Sequence, residues 1–297
     1  MRCLQVVGAD GAVRLGLLEG ERVRVLAKAH EGVATSLDLL AAMRERGKDA
    51  AAWRAAAEKA GAFSETAWSD LASAKGAAGF RLTLPLTPPE VWGAGVTYKR
   101  SADFREEGTG IYDKVYGAGR PELFFKASAW RCAGPFEPIG RRNDSSFTAS
   151  EPELALVLGG DGSILGFTLA NDVSAWDIER ENPLYLPQSK IYRGCFSFGP
   201  VIVTPDEVRD PYDLELTCVV TRGGREVFSG SASTGQLRRR FPELVEWLLR
   251  SNEVRTGTIL STGTGIIQPL GSGLEDGDVV TIRCPGIGEL CNPVVSV

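Results

Sequence analysis

Short apolar runs, each closed off by glycine, proline or aspartate, fill most of this 297-residue chain. Their spacing separates a small N-terminal part from a larger, strand-rich remainder. Residues 2–7 and 12–18 flank the turn signal Ala9-Asp10-Gly11, and 22–27 follow Glu19-Gly20, which predicts an opening three-strand meander. From about 36 to 75 the text is alanine-rich with helical spacing, through Leu37, Leu39, Leu40 and Met43, then Trp53, Ala57 and Ala60. Leu82-Thr-Leu-Pro-Leu-Thr-Pro-Pro89 reads as a proline-punctuated linker, so a boundary is placed near 85, giving domains 1–85 and 86–297.

Beyond it, runs at 153–158, 163–170, 199–203, 213–221, 226–231, 258–262 and 278–284 predict strands. The clearest helix is expected over 235–250, where Leu237, Phe241, Leu244, Val245, Leu248 and Leu249 recur behind the cap candidate Thr234. Its Arg238-Arg239-Arg240 run reads as a solvated face or rim contact. No repeat with a period of 20–50 residues is visible. The expected class is mainly β, of the α+β kind.

Apolar residues make up 43% of the chain and charged ones 24%, which excludes disordered and fibrous classes. A net charge of -5 with one His and no dense Lys/Arg block leaves no footprint for nucleic acid, so a small molecule is the expected partner. The N-terminus shows no signal-type apolar segment and no run reaches about 18 apolar residues, so no membrane span is expected and a cytoplasmic location is. Six cysteines without a Cys-x-x-Cys pair argue against zinc and disulfides, and for buried free thiols. The glycine-rich pieces 93–95, 117–119 and 263–265 lack the dinucleotide and Walker patterns and read as turns.

Candidate chemistry begins at Ser150-Glu151-Pro152-Glu153-Leu-Ala-Leu-Val-Leu158. Here a strand starts with two carboxylates two positions apart, hence on one face. Gly159-Gly160-Asp161-Gly162 then signals a hairpin into Ser163-Ile-Leu-Gly-Phe-Thr-Leu-Ala170, which ends at Asn171-Asp172. With two or four loop residues, Leu158 lies opposite Ser163 and Glu151 opposite Ala170, so Asp172 joins the face of Glu151 and Glu153 one step beyond the pair. Three converging carboxylates repel unless a cation sits between them. All-oxygen ligation selects Mg²⁺, with Mn²⁺ or Ca²⁺ as alternatives, over zinc. Surface acids at a solvated strand end are the competing explanation.

These residues resemble a known family. Glu151-Pro-Glu153-Leu-Ala-Leu-Val, then Asn171-Asp172-Val-Ser174-Ala-Trp-Asp177-Ile, resembles the metal-binding core of the fumarylacetoacetate hydrolase family, and Gly93-Ala-Gly95-Val-Thr97-Tyr98 its substrate-loop entry. Lys190 matches the family's active-site lysine, Ser261-Thr-Gly-Thr264-Gly265 its Gly-Thr loop, and Leu274-Glu-Asp-Gly277-Asp278-Val-Val with Gly286-Ile-Gly288 its C-terminal ending. The match covers roughly 85–297. It implies a mixed roll of curved β-sheets, Mg²⁺ held by Glu151, Glu153 and Asp172, and a homodimer or homotetramer. One departure stands out: hydrolases of the family carry a water-activating His three residues after the loop tyrosine, and Tyr98-Lys99-Arg100-Ser101 has serine there. The single His, His30, lies in the small domain. Tyr112-Asp-Lys114-Val-Tyr116, Arg120-Pro-Glu122-Leu-Phe-Phe-Lys126 and Asn182-Pro-Leu-Tyr185-Leu-Pro-Gln188-Ser-Lys190 look like the family's sugar-acid dehydratase branch. That branch turns a 2-keto-3-deoxy pentonate into 2,5-dioxopentanoate.

A 2-oxo acid chelating the metal has acidified protons on carbon 3, so one base there and one acid at the carbon 4 hydroxyl suffice. Lys190 is the candidate base and Glu122 the candidate acid, with the reverse assignment left open. The resemblance adds Tyr98, Arg100, Arg105, Lys126, Gln188 and Thr264 as substrate contacts. Two other readings compete: a carbon–carbon hydrolase or decarboxylase acting on an acylpyruvate-type 2-oxo acid, and a metal-dependent binding protein without catalysis.

Overall fold

A computed structural model describes residues 1–45, 47, 49–73, 76, 79–99 and 111–297. The chain opens with β1 (Arg2–Gly8), β2 (Val13–Glu19) and β3 (Arg22–Leu26), an antiparallel meander as its run pattern predicts. Helices α1 (Ser36–Glu45) and α2 (Ala50–Lys59) follow, but the helical stretch does not continue to 75. Gly61, in the left-handed region at φ 62°, turns the chain so that β4 (Phe63–Ala67) pairs with β3, ahead of the single turn α3 (Trp68–Leu71) and β5 (Phe80–Leu82).

Next in order come β6 (Val91–Gly95), α4 (Ile111–Gly117), β7 (Glu122–Ala127), β8 (Cys132–Ala133), β9 (Ile139–Arg141) and β10 (Thr148–Ala149). The central hairpin is β11 (Pro152–Leu158) and β12 (Ile164–Asp172), followed by β13 (Ser174–Ala175), α5 (Trp176–Glu181), α6 (Leu186–Lys190) and β14 (Phe196–Val203). The chain ends with β15 (Glu215–Arg222), β16 (Arg225–Ser233), α7 (Phe241–Leu249), β17 (Thr258–Ser261), β18 (Val279–Cys284) and β19 (Gly288–Ser296).

Among the described residues the main sheet runs β4-β3-β2-β1-β14-β12-β11-β17-β6-β7, with β5 on β1 and β8 on β14. The N-terminal strands extend this sheet, since Arg2 pairs with Val203 and Cys3 with Ile202. A second sheet runs β16-β15-β18-β19-β9. This is the strand-rich mixed fold with few helices that the run pattern predicts. No described helix is long and apolar enough to cross a membrane. All six cysteines are free thiols, four of them buried.

Every residue of β11 is buried, because the strand is covered on both faces. Leu154, Leu156 and Leu158 pack into one core with Phe167 and Leu169, while Ala155 and Val157 pack into another with Ala170, Phe196 and Phe198. Glu153 shares the second face by alternation.

The hairpin register differs from the expected one. Leu158 pairs with Ile164, one residue from the expected Ser163, and a bulge between Val157 and Leu158 adds a second residue, so Glu153 rather than Glu151 lies opposite Ala170. A one-residue slip alone would have turned Asp172 away. Two restore the parity, and the Asp172 amide donates to the Glu151 carbonyl at 3.0 Å.

The predicted helix over 235–250 also needs correction. The Thr234–Gln236 stretch is a single 3-10 turn, and Leu237 bridges to Tyr98, which holds the backbone extended, so α7 starts only at Phe241 with Pro242 in its first turn. Thr234 is buried and its hydroxyl accepts from the Leu214 amide rather than capping a helix. Arg239 is likewise buried, donating to the Ala118 and Gly119 carbonyls and pairing with Glu243, instead of forming part of a solvated face.

Candidate active site

The central hairpin delivers Glu151 and Glu153 from the start of β11 and Asp172 from the end of β12. Each offers one carboxylate oxygen within 4.8 Å of the others, and all three are buried. Side chains around them fix each carboxylate. The Asn171 amide oxygen accepts from the Glu151 amide at 3.0 Å and from Ser150 Oγ at 3.1 Å, pinning the backbone just before β11. Glu151 Oε1 accepts from the Trp176 indole, and its Oε2 accepts from Lys190 Nζ at 2.9 Å. Glu153 Oε2 accepts from Ser261 Oγ at 2.5 Å and from the Gly263 amide at 2.6 Å.

Two buried lysines flank Asp172. Lys126 Nζ lies 2.6 Å from Oδ1, while Lys190 Nζ lies 3.1 Å from Oδ2 and also donates to Ser174 Oγ at 2.7 Å. Lys190 reaches this point because Ser189 Oγ, on the same short helix, donates to the Ala175 carbonyl, and Arg142 donates to the Gln188 carbonyl. Three carboxylates therefore face two ammonium groups, and among the described residues Glu153 is the one with no cation paired to it. Burial, then the charges of Asp172 and Glu151, push its carboxyl up to about 8, although the Ser261 and Gly263 donors pull the other way. With all three ionised, the carboxylates exceed the two ammonium groups by one negative charge, and they form an all-oxygen donor set that fits Mg²⁺, Mn²⁺ or Ca²⁺.

Glu122 stands on β7 with Phe124 and Lys126 at alternate positions, so the three share a face. Lys126 reaches Asp172, and the Phe124 ring centroid is 5.2 Å from Lys190 Nζ, which places Glu122 on the side of the strand that looks onto the carboxylates. Gly93 and Gly95 lie opposite Phe124 and Glu122 on β6. They are strand residues, not the turn expected for 93–95. A Cβ at Gly93 would come within 2.5 Å of the Phe124 ring, and one at Gly95 would collide with the Glu122 carboxylate, so the glycines make room for the two side chains.

The other candidates scatter around this centre. Tyr98 is buried, and burial with the nearby Glu153 charge holds its phenol well above the usual range. Thr264 is buried beside Gly263, its hydroxyl accepting from the Ile266 amide at 3.1 Å. The Gln188 side chain is exposed on α6. Arg100, Arg105 and Ser101 lie outside the described residues. His30 is far along the chain in the N-terminal part, packed against Trp53 with ring centroids 6.2 Å apart.

Sequence reasoning did not single out Trp176, Ser174, Ser261 and the Gly263 amide as parts of the site. All four fall inside strings that carry the resemblance, but their partners are set by chain crossings that no local pattern reports.

Three comparisons bear on this geometry. The family profile described as fumarylacetoacetate (FAA) hydrolase C-terminal matches residues 90–295. A 2-dehydro-3-deoxy-D-arabinonate dehydratase of Saccharolobus solfataricus is 51% identical over 221 residues, 72% of this chain and 74% of the relative. A probable 2-keto-3-deoxyxylonate dehydratase of Haloferax volcanii is 43% identical over 218 residues, 72% and 75% of the two chains. A solved 2-keto-3-deoxy-D-arabinonate dehydratase, complexed with magnesium and 2,5-dioxopentanoate, superposes with a TM-score of 0.85 at 40% identity, covering 100% of this chain and 99% of the other.

Proposed function

The chain belongs to the fumarylacetoacetate hydrolase family, and from that premise we propose that it is a Mg²⁺-dependent hydro-lyase that removes water from a 2-keto-3-deoxy pentonate to give 2,5-dioxopentanoate. The observation that carries this reading is the buried trio Glu151, Glu153 and Asp172 with Lys126 and Lys190 against it. A divalent cation and one substrate carboxylate bring that set of charges to neutrality, which suits a mono-anionic 2-oxo acid. The names of the two relatives and of the solved structure supply the substrate class.

Glu151, Glu153 and Asp172 would hold the metal. When bound, Mg²⁺ would supply the positive charge that acidifies the carbon 3 protons of a 2-oxo acid. Lys190, once it has given its ammonium proton to solvent, would accept the carbon 3 proton as the neutral amine, and Glu122 in its protonated form would give one to the hydroxyl leaving carbon 4. Elimination consumes no water, so it needs no water-activating base at position 101, where this chain has serine. Tyr98, whose phenol feels the Glu153 charge, and Thr264, next to Gly263, are assigned to the substrate together with Arg100, Arg105 and Gln188 on the family resemblance. The same resemblance suggests a homodimer or homotetramer, and free thiols throughout suit a reducing cytoplasm.

The test is to incubate the purified protein with Mg²⁺ and a panel of 2-keto-3-deoxy sugar acids and to measure the aldehyde product beside acylpyruvate cleavage. Dehydration of a pentonate that stops with EDTA and returns with Mg²⁺ or Mn²⁺ is expected. Faster cleavage of acylpyruvates than dehydration of every sugar acid offered would overturn the assignment.

A further inference from the structure

Lys126 is a candidate substrate contact by resemblance, yet its surroundings argue for another role. None of its side chain is exposed. Nζ is held by Asp172 Oδ1 at 2.6 Å and by the Val173 carbonyl at 2.8 Å, and it sits 5.8 Å from the centroid of the Tyr192 ring. The Tyr192 hydroxyl donates to that same Val173 carbonyl at 3.0 Å, so two side chains clamp the carbonyl of the residue after Asp172. Lys190 holds the other Asp172 oxygen and also reaches Glu151 and Ser174. The carboxylate is thus spanned by two ammonium groups, and Lys126 is also tied to backbone through the Val173 carbonyl.

We infer that Lys126 is a positioning residue, an internal counter-ion sealed from substrate that fixes the orientation of Asp172 and sets the net charge of the site. With both lysines charged, the metal-loaded trio is one unit positive and draws a single carboxylate. With Lys126 neutral it is uncharged. Removing that charge therefore strengthens cation binding and weakens anion binding, an opposition that neither a packing defect nor a lost substrate contact produces.

The metal arm of the test needs only the carboxylate site, whereas the anion arm rests on the 2-oxo acid reading above. Wild type, Lys126→Met and Lys126→Gln are melted without metal, titrated with Mn²⁺ at pH 9 by calorimetry, and then, Mn²⁺-loaded, titrated with pyruvate, the smallest 2-oxo carboxylate. The expected result is a Mn²⁺ Kd lowered about tenfold or more and a pyruvate Kd raised by a similar factor. Unchanged Mn²⁺ affinity with weaker pyruvate binding would make Lys126 a substrate contact, and weaker Mn²⁺ binding with unchanged pyruvate would make it mere scaffold. Either result overturns the inference. Should neither variant fold, nitrogen-15 spectra of wild type decide: the Lys126 ammonium signal must persist when pyruvate is added, and its loss refutes the sealed position. Failure of wild type to bind Mn²⁺ at all would instead remove the metal reading.

Discussion

Metal binding at this site should expel a proton at neutral pH, and Glu153 should be its source. Its carboxyl is pushed up to about 8, chiefly by burial and then by Asp172 and Glu151, against an ordinary value of 4.5. At pH 7 a group with that constant is about 0.9 protonated and at pH 9 about 0.1, so the proton released per metal bound should fall by that much between the two. Calorimetric titration with Mg²⁺ in two buffers of different ionisation enthalpy measures it directly.

The metal-free protein gives an independent sign. Between pH 4.5 and 8 the folded state binds more protons than the unfolded one, so stability must fall as pH rises through that window, by at most about 1.4 kcal/mol per pH unit from this group. Melting in EDTA should show it, and saturating Mg²⁺ should flatten it. Glu153→Gln, which has no proton to lose, should abolish both effects. Equal proton release at pH 7 and 9, or release that survives in Glu153→Gln, would refute the assignment.

Trp176→Phe keeps the ring that packs on Phe147 but removes the indole donor to Glu151, so it should weaken Mn²⁺ binding about tenfold with little loss of melting temperature. Gly263→Ala puts a Cβ where φ is 93° and where Thr97 Oγ1 and the Ala94 carbonyl already lie; a loss of about 2 kcal/mol or more and weaker metal binding should appear in denaturant melts and titrations, and a wild-type melt would contradict this. Glu122→Gln should lower kcat far more than it raises KM, with hydrogen exchange at carbon 3 surviving, because the acid acts only as the hydroxyl leaves. Loss of that exchange would assign the base role to Glu122 and the acid role to Lys190.

Much of the site could be read from residue order because its chemistry sits on one hairpin. The Glu151 and Glu153 spacing, the turn at 159–162 and the Asn171-Asp172 ending place three carboxylates on one face in any register of the right parity, and the observed two-residue displacement preserves that parity. The opening meander and the strand-rich remainder were legible for the same reason, since alternation and turn residues are local signals. Helix limits around 235–250 were not: the cap-like Thr234 is claimed by Leu214, and Leu237 is drawn into a bridge with Tyr98, partners more than a hundred positions away in the latter case.

The partners of the carboxylates belong to tertiary structure for that reason. Lys126 comes to Asp172 from β7, Ser261 and Gly263 to Glu153 from the end of β17, and Trp176 to Glu151 across the turn after β13, each by a crossing of the sheet that no run of residues announces. Gly93 and Gly95 look like a turn when read in line and act as a gap for Phe124 and Glu122 once β6 and β7 pair. Local pattern sets which face of a strand a side chain occupies. Which charge stands beside it, and how far burial shifts its proton, depends on the distance between segments remote in sequence, and only folding sets that distance.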